Sequence, residues 1–343
     1  MRSLIVVLSA LGFLPAFAAP AEADDPANPA SRAKIVAALE RGVPLLEKAA
    51  RNYPAHRKCF ACHHQTLPLL GLGEARRAGV KCDDTLPQAI IDFAGASFRG
   101  KLDDLKAGEN IGGRGLTVGY GLLALRLADV KPDELTEAMV TFLLKSQEAD
   151  GRWGLNAIRP PAEDSLVMCT VLAAAGLRHY AAPAQRPSAE AALEKAHNWL
   201  RSAKHESQED KVAMLWGCRL LGIEGDRLDE SRQAVLDAQR ADGGWGQTAE
   251  MESDAYASGS TLFVLLETGL AETHAAAQRA VDFLLKTQLD DGSWHVATRA
   301  KPVQVFFDNG DPHGKDQFIS IAASGWSVAA LARAIRQPAE PAK

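Results

Sequence analysis

Three segments of this chain repeat one another: Gln147-Glu148-Ala149-Asp150-Gly151-Arg152-Trp153, Gln239-Arg240-Ala241-Asp242-Gly243-Gly244-Trp245 and Gln288-Leu289-Asp290-Asp291-Gly292-Ser293-Trp294. Each reads Gln, two residues, Asp-Gly, one residue, Trp. The Gln positions are separated by two multiples and then one multiple of about 47 residues, the signature of a stacked supersecondary unit. The turn itself has a physical reading. Asp-Gly supplies the positive φ that stops a helix. Trp offers a large flat surface whose N–H needs an acceptor, and Gln at the end of the preceding helix can reach both the ring and the next backbone. The expected role of the segment is to staple neighbouring units together.

The unit is a helical hairpin. Amphipathic stretches such as Glu134–Lys145 and Ala275–Lys286 precede the turns, with apolar residues at three-to-four spacing. Ser165–Leu177, Ala255–Leu270 and Gln317–Ala334 follow them, rich in Ala, Gly, Leu and Val on every side, as buried helices are. The same outer-turn-inner pattern runs through 188–223, 87–130 and 31–80 without the Gln/Trp signature, with outer helices beginning near 31, 86, 133, 188, 228 and 273. Alternating β-branched runs are missing. Inner helices that are apolar all round are all covered only if the row of hairpins closes on itself. The predicted fold is all-α, an (α/α)6 toroid over 31–337.

The three turns resemble the QW motifs of squalene-hopene and oxidosqualene cyclases, and more widely the prenyltransferase and squalene-oxidase repeat. The resemblance covers about 133–336 through clear motifs, and the earlier part of the chain through the hairpin pattern alone. It implies an α/α toroid with a central cavity that takes an isoprenoid or another apolar small molecule. The family's cyclases carry an Asp-x-Asp-Asp-Thr acid motif at the start of an inner helix, and here the corresponding stretch is Pro161-Ala162-Glu163-Asp164-Ser165. Glu163 takes the position of the proton-donating acid and Asp164 the next, while Pro161 replaces the first Asp. Asp254, ahead of Tyr256, is a third acidic candidate of the same kind. The bland alternative for all three is helix N-terminal capping, which the helix dipole favours.

Composition narrows the partners. The 343 residues carry 38 Lys plus Arg against 43 Asp plus Glu, a net charge of −5, which gives no electrostatic footprint for nucleic acid or an anionic membrane. Arg2 followed by the apolar run Leu4–Phe17 and by Ala16-Phe17-Ala18 reads as a cleavable signal peptide, residues 1–18, so the expected location is periplasmic or secreted. Residues 19–30, rich in Ala, Pro, Asp and Glu, read as a disordered lead-in. The apolar run is shorter than the roughly 20 residues of a membrane span.

Cys59-Phe60-Ala61-Cys62-His63 matches C-x-x-C-H, the attachment pattern of c-type haem. Two thiols three residues apart suit thioethers to the vinyl groups, and the adjacent imidazole suits the iron. A Cys59–Cys62 disulfide, a zinc site using His63 or His64, and free thiols remain open at this level. His295, His313 and Met251 are candidates for a second axial ligand, His313 lying in a long connection, Val296–Asp316, that can fold over one mouth of the ring. Counting back from the inner-helix glycines Gly79, Gly176, Gly222 and Gly269 puts the Cys motif and the Glu163–Asp164 pair at the same end. Three functions follow: a haem protein with a redox partner or a binding role, a cyclase using Glu163 as acid, and a non-catalytic lipid- or protein-binding toroid. Cys82, Cys169 and Cys218 have no ligand spacing and read as isolated thiols.

Overall fold

The computed structural model describes residues 29–302 and 305–336. The expected signal peptide and most of the lead-in lie outside them, although α1 already begins at Pro29. Outer helices are α1 (Pro29–His56), α3 (Leu86–Arg99), α6 (Glu134–Ser146), α8 (Arg186–Ser202), α10 (Asp226–Leu236) and α12 (Ala275–Thr287). Inner helices are α2 (Thr66–Arg77), α5 (Arg114–Leu127), α7 (Leu166–Tyr180), α9 (Gln208–Leu221), α11 (Ala255–Glu267) and α13 (Gln317–Ala334). A short extra helix, α4 (Leu102–Ala107), interrupts the second hairpin. No strand occurs among the described residues, only an isolated bridge between Arg159 and Glu163. None of their helices is long and apolar enough to cross a membrane.

The inner helices close a ring: α2 packs on α5, α5 on α7, α7 on α9, α9 on α11, α11 on α13, and α13 back on α2. Small residues set the spacing. A Cβ on Gly259 would lie 2.8 Å from the Ser327 backbone nitrogen, so α11 and α13 approach backbone to backbone. Outer helices α6, α8, α10, α12 and α1 each pack on the preceding inner helix of the ring. The (α/α)6 toroid predicted from the repeat is the observed fold.

The stapling geometry is the same at all three turns. Trp153, Trp245 and Trp294 are fully buried. Their indole N–H groups donate to the carbonyls ten residues earlier, Leu143 (2.8 Å), Val235 (2.9 Å) and Leu284 (2.9 Å). The amides of Gln147, Gln239 and Gln288 each donate to the glycine carbonyl of their own turn and to a carbonyl of the next outer helix: Ala192, Ala276 and Ala38. The last bond, 2.9 Å long, joins the sixth hairpin to the first. Gly292 must be glycine twice over. Its φ is +86°, and a Cβ there would meet the Arg41 carbonyl oxygen at 2.2 Å.

One inner-helix boundary differs from the sequence reading. Gly79, Gly222 and Gly269 have positive φ and follow their helices, but Gly176 lies inside α7, which continues to Tyr180. Its missing side chain makes room for Leu122 of α5 instead of ending a helix. At its other end α7 begins where the sequence places it, capped by Ser165, whose hydroxyl accepts from the Met168 N–H. Glu163 and Asp164 precede that cap and do not serve as one.

Candidate functional site

Because every hairpin runs outer helix, turn, inner helix, all six inner helices enter the ring from the same end. At this end lies a cavity of ≈ 390 Å³, within the roughly 300–1,000 Å³ usual for small-molecule and cofactor sites. Its walls come from four places. Tyr53, Cys62 and His63 belong to the first hairpin, Arg159, Pro160, Ala162 and Glu163 to the segment leading into α7, and Phe318, Ile319 and Ala322 to α13. Thr298, Ala300, Lys301, Pro302, Phe306 and Lys315 of the long connection complete it.

That connection is pinned across the ring's mouth by polar contacts. Arg299 Nε donates to Gln247 (2.8 Å), Asn52 donates to the Asp308 carbonyl (2.6 Å), and Gln317 donates to the Phe307 carbonyl (2.6 Å). Asn309 lies 2.9 Å from His64 Nε2, which ties the connection to the Cys motif.

The motif is held by α1, α3 and the start of α2. Phe60 N–H donates to Ser97 (2.8 Å), Ala61 N–H to Gln65 (2.7 Å) and Leu67 N–H to the Cys62 carbonyl (2.9 Å), so Cys62 to Gln65 form the turn that opens α2. Cys62 is buried, and burial pushes its thiol up to about 12. Its sulfur is 3.9 Å from His63 Nδ1. Burial first, and then Arg159, lower His63 to about 3, so the imidazole is neutral and able to give a lone pair to a metal. Cys59 is exposed, yet its sulfur touches the hydroxyl of the cavity residue Tyr53 at 3.5 Å. It stands at the cavity's edge, not in its wall.

Glu163 is largely buried and forms an ion pair and hydrogen bond with Arg159. Burial raises its carboxyl and Arg159 opposes that rise. Asp164 is exposed. Asp254 caps α11 by accepting from Ala257 N–H (2.9 Å) and also accepts from Gln247 (2.9 Å). Burial raises its carboxyl, and these bonds work against the shift. Of the acidic candidates, only Glu163 reaches the cavity wall.

The second-ligand candidates are not beside the Cys motif. His295 pairs with Asp316 (3.0 Å), His313 contacts Ser293 (2.8 Å), and their rings lie 4.7 Å apart, tilted by 37°. Met251 sits in the turn before α11. None of the three lines the cavity. Among the described residues no group of three or more His, Cys, Asp or Glu side chains is placed to hold a metal ion by itself.

The sequence reading missed Glu209. This residue is in the first turn of α9, 6% exposed, and accepts from the Tyr256 hydroxyl at 3.3 Å. Burial, with Asp210 nearby, raises its carboxyl to about 8. The signal available was the capping box Ser207–Asp210, which fixes the start of α9 and turns the residue before Asp210 inward.

No protein-family model matches the chain, and no curated protein matches it. Its fold is similar to that of solved structures of low identity. A variant of the type II terpene cyclase MstE from Scytonema, in complex with its substrate geranylgeranyl dihydroxybenzoate, aligns with TM-score 0.55 and 14% identity, covering 89% of this chain and 99% of that one. The apo cyclase gives TM-score 0.55 and 15% identity over 88% and 98%. A glycosidase in complex with glucose gives 0.55 and 13% over 88% and 98%. The fold is therefore that of a terpene cyclase-like helical toroid, shared by enzymes of unrelated chemistry.

Proposed function

We propose that this chain is an exported toroid carrying a c-type haem, attached through Cys59 and Cys62 with His63 as iron ligand, in the cavity at the ring's mouth. One observation carries the reading: Cys62 and a neutral His63 open into a largely apolar cavity whose walls include Phe318, Ile319, Ala322 and Pro160. The donor set fits a haem, since a desolvated neutral imidazole is a good iron ligand and a flat macrocycle needs apolar walls. When bound, the group supplies one-electron redox chemistry and an iron that takes small ligands. The residues of the chain orient it. Cys62 and Cys59 would hold it through thioethers, and Tyr53 and Phe318 pack beside His63. Of the candidate iron ligands His63, His295, His313 and Met251, His63 is the one that lines the cavity, so it is the residue that would hold the iron there.

A second reading, an isoprenoid cyclase with Glu163 as acid, is favoured by the cyclase-like fold and by Glu163 lining the same cavity. It is disfavoured by chemistry. Protonating an alkene needs a strong, neutral acid, whereas Glu163 is paired with Arg159 and Pro161 replaces the first carboxyl of the acid motif.

Intact-mass analysis of protein from a host that matures c-type cytochromes tests the proposal. The expected result is one added haem, absent in the Cys59→Ala, Cys62→Ala double variant. A mass two units below the reduced chain would mean a Cys59–Cys62 disulfide and overturn it.

A further inference from the structure

The charge at the cavity runs against that of the chain. The protein carries a net −5, but the lining residues include the cations Arg159, Lys301 and Lys315 and the single acid Glu163. Arg159 is already engaged by Glu163. Lys301 and Lys315 are exposed at the rim, and among the described residues neither has an ion pair within 4 Å. Both residues line the cavity, and a lysine can lay its aliphatic stem along apolar surface while its ammonium group stays in water. The N-terminal ends of the inner helices converge on this end and add positive potential.

We infer that the cavity recognises an amphipathic carboxylate, with an apolar body against Phe318, Ile319 and Ala322 and one or two carboxylates met by Lys301 and Lys315. Two ligands share this chemistry: the propionates of the haem proposed above, and the head group of a free long-chain acid. Only the first rests on the haem reading. An apolar space needs no cations to bind a hydrocarbon, and two unpaired lysines beside it select for the charged end.

The test compares acids with their neutral esters on the full chain produced without haem maturation. Zinc protoporphyrin IX and its dimethyl ester form one arm, oleate and methyl oleate the other, with binding followed by quenching of intrinsic Trp fluorescence. The acid is expected to bind at least about tenfold more tightly than its ester in one arm or both, as charge-assisted hydrogen bonds to carboxylate require. Lys301→Gln with Lys315→Gln should bring that ratio to about one, and Lys301→Arg with Lys315→Arg should retain it. Equal affinity for acid and ester in both arms, a ratio that survives the Gln pair, or no binding in either arm would overturn the inference. A preference confined to oleate would support the carboxylate site while counting against the haem reading. A preference confined to the porphyrin would support both.

Discussion

Replacing Trp294 by Ala tests whether the toroid is closed by the same device that joins its interior hairpins. The indole is fully buried, and a Cβ on Gly42 of α1 would lie 3.4 Å from its Cζ3 atom, so the ring fills the seam between the sixth and first hairpins. Removing a buried Trp side chain costs about 3–5 kcal/mol, mostly lost transfer energy and the cavity left behind. The lost indole hydrogen bond adds little, because the Leu284 carbonyl keeps the Gln288 N–H at 3.1 Å. With an unfolding entropy of roughly 2.1 cal/mol/K per residue over some 300 residues, the Tm should fall by about 5–8 °C. Trp153→Ala and Trp245→Ala provide the scale, since they sit at equivalent turns inside the chain. Thermal and urea unfolding of the three variants should give similar losses. A cost below about 1 kcal/mol for Trp294→Ala alone would show that the ring is open at that seam, and a cost that small for all three would refute the stapling role.

Asp254→Ala removes the N-cap of α11 and should cost about 1 kcal/mol in urea unfolding without abolishing the fold. Glu209 gives a pH dependence with a defined sign: its carboxyl goes from 4.5 when unfolded to about 8 when folded, so the folded state binds the extra proton between these values. Stability from this group is complete below pH 4.5 and is lost as pH rises toward 8, and Glu209→Gln should flatten that decline in a Tm series. Squalene incubated with the wild-type protein should yield no polycyclic product by gas chromatography, because burial raises the Glu163 carboxyl, which weakens it as an acid, and Pro161 replaces the first carboxyl of the acid motif. A product that disappears in Glu163→Gln would reverse the order of the two functional readings.

The toroid was legible because the repeat carries its own geometry. Gln288, Gly292 and Trp294 each do one local thing: an amide bridges two carbonyls, a backbone turns at positive φ against a neighbouring helix, and an indole fills the seam. Such local requirements leave fixed residue types at fixed spacing. The end of α7 was misplaced for the opposite reason. Gly176 serves a close approach to Leu122, and a packing glycine looks the same in sequence as a helix-stopping one. The site was half legible. Cys62, His63 and Glu163 lie on one cavity, but His295 and His313 turn to Asp316 and Ser293 instead. Nothing in the spacing of the long connection says which way its side chains face. Glu209 was missed because an acid in a first helical turn ordinarily reads as a solvated partner of the dipole.

The parallel arrangement of the inner helices explains why acids collect at this end and why they make poor proton donors. Six N-termini favour negative charge, and Glu163, Glu209 and Asp254 all stand near them. Each is then spent in a different way. Asp254 caps a helix, Glu163 is neutralised by Arg159, and Glu209 is kept protonated by burial. A carboxyl kept neutral by desolvation has a raised pKa, so it gives up its proton less readily, whereas alkene protonation requires an acid strengthened by hydrogen bonds and positive charge around its conjugate base. The fold could supply that charge from its helix ends, but Arg159 already compensates Glu163, and Glu209 has Asp210 beside it raising its pKa further. Among the described residues that line the cavity, the side chains left with a charge and no ion pair are Lys301 and Lys315. An electrostatic field of this sign suits holding an anionic ligand better than releasing a proton into one.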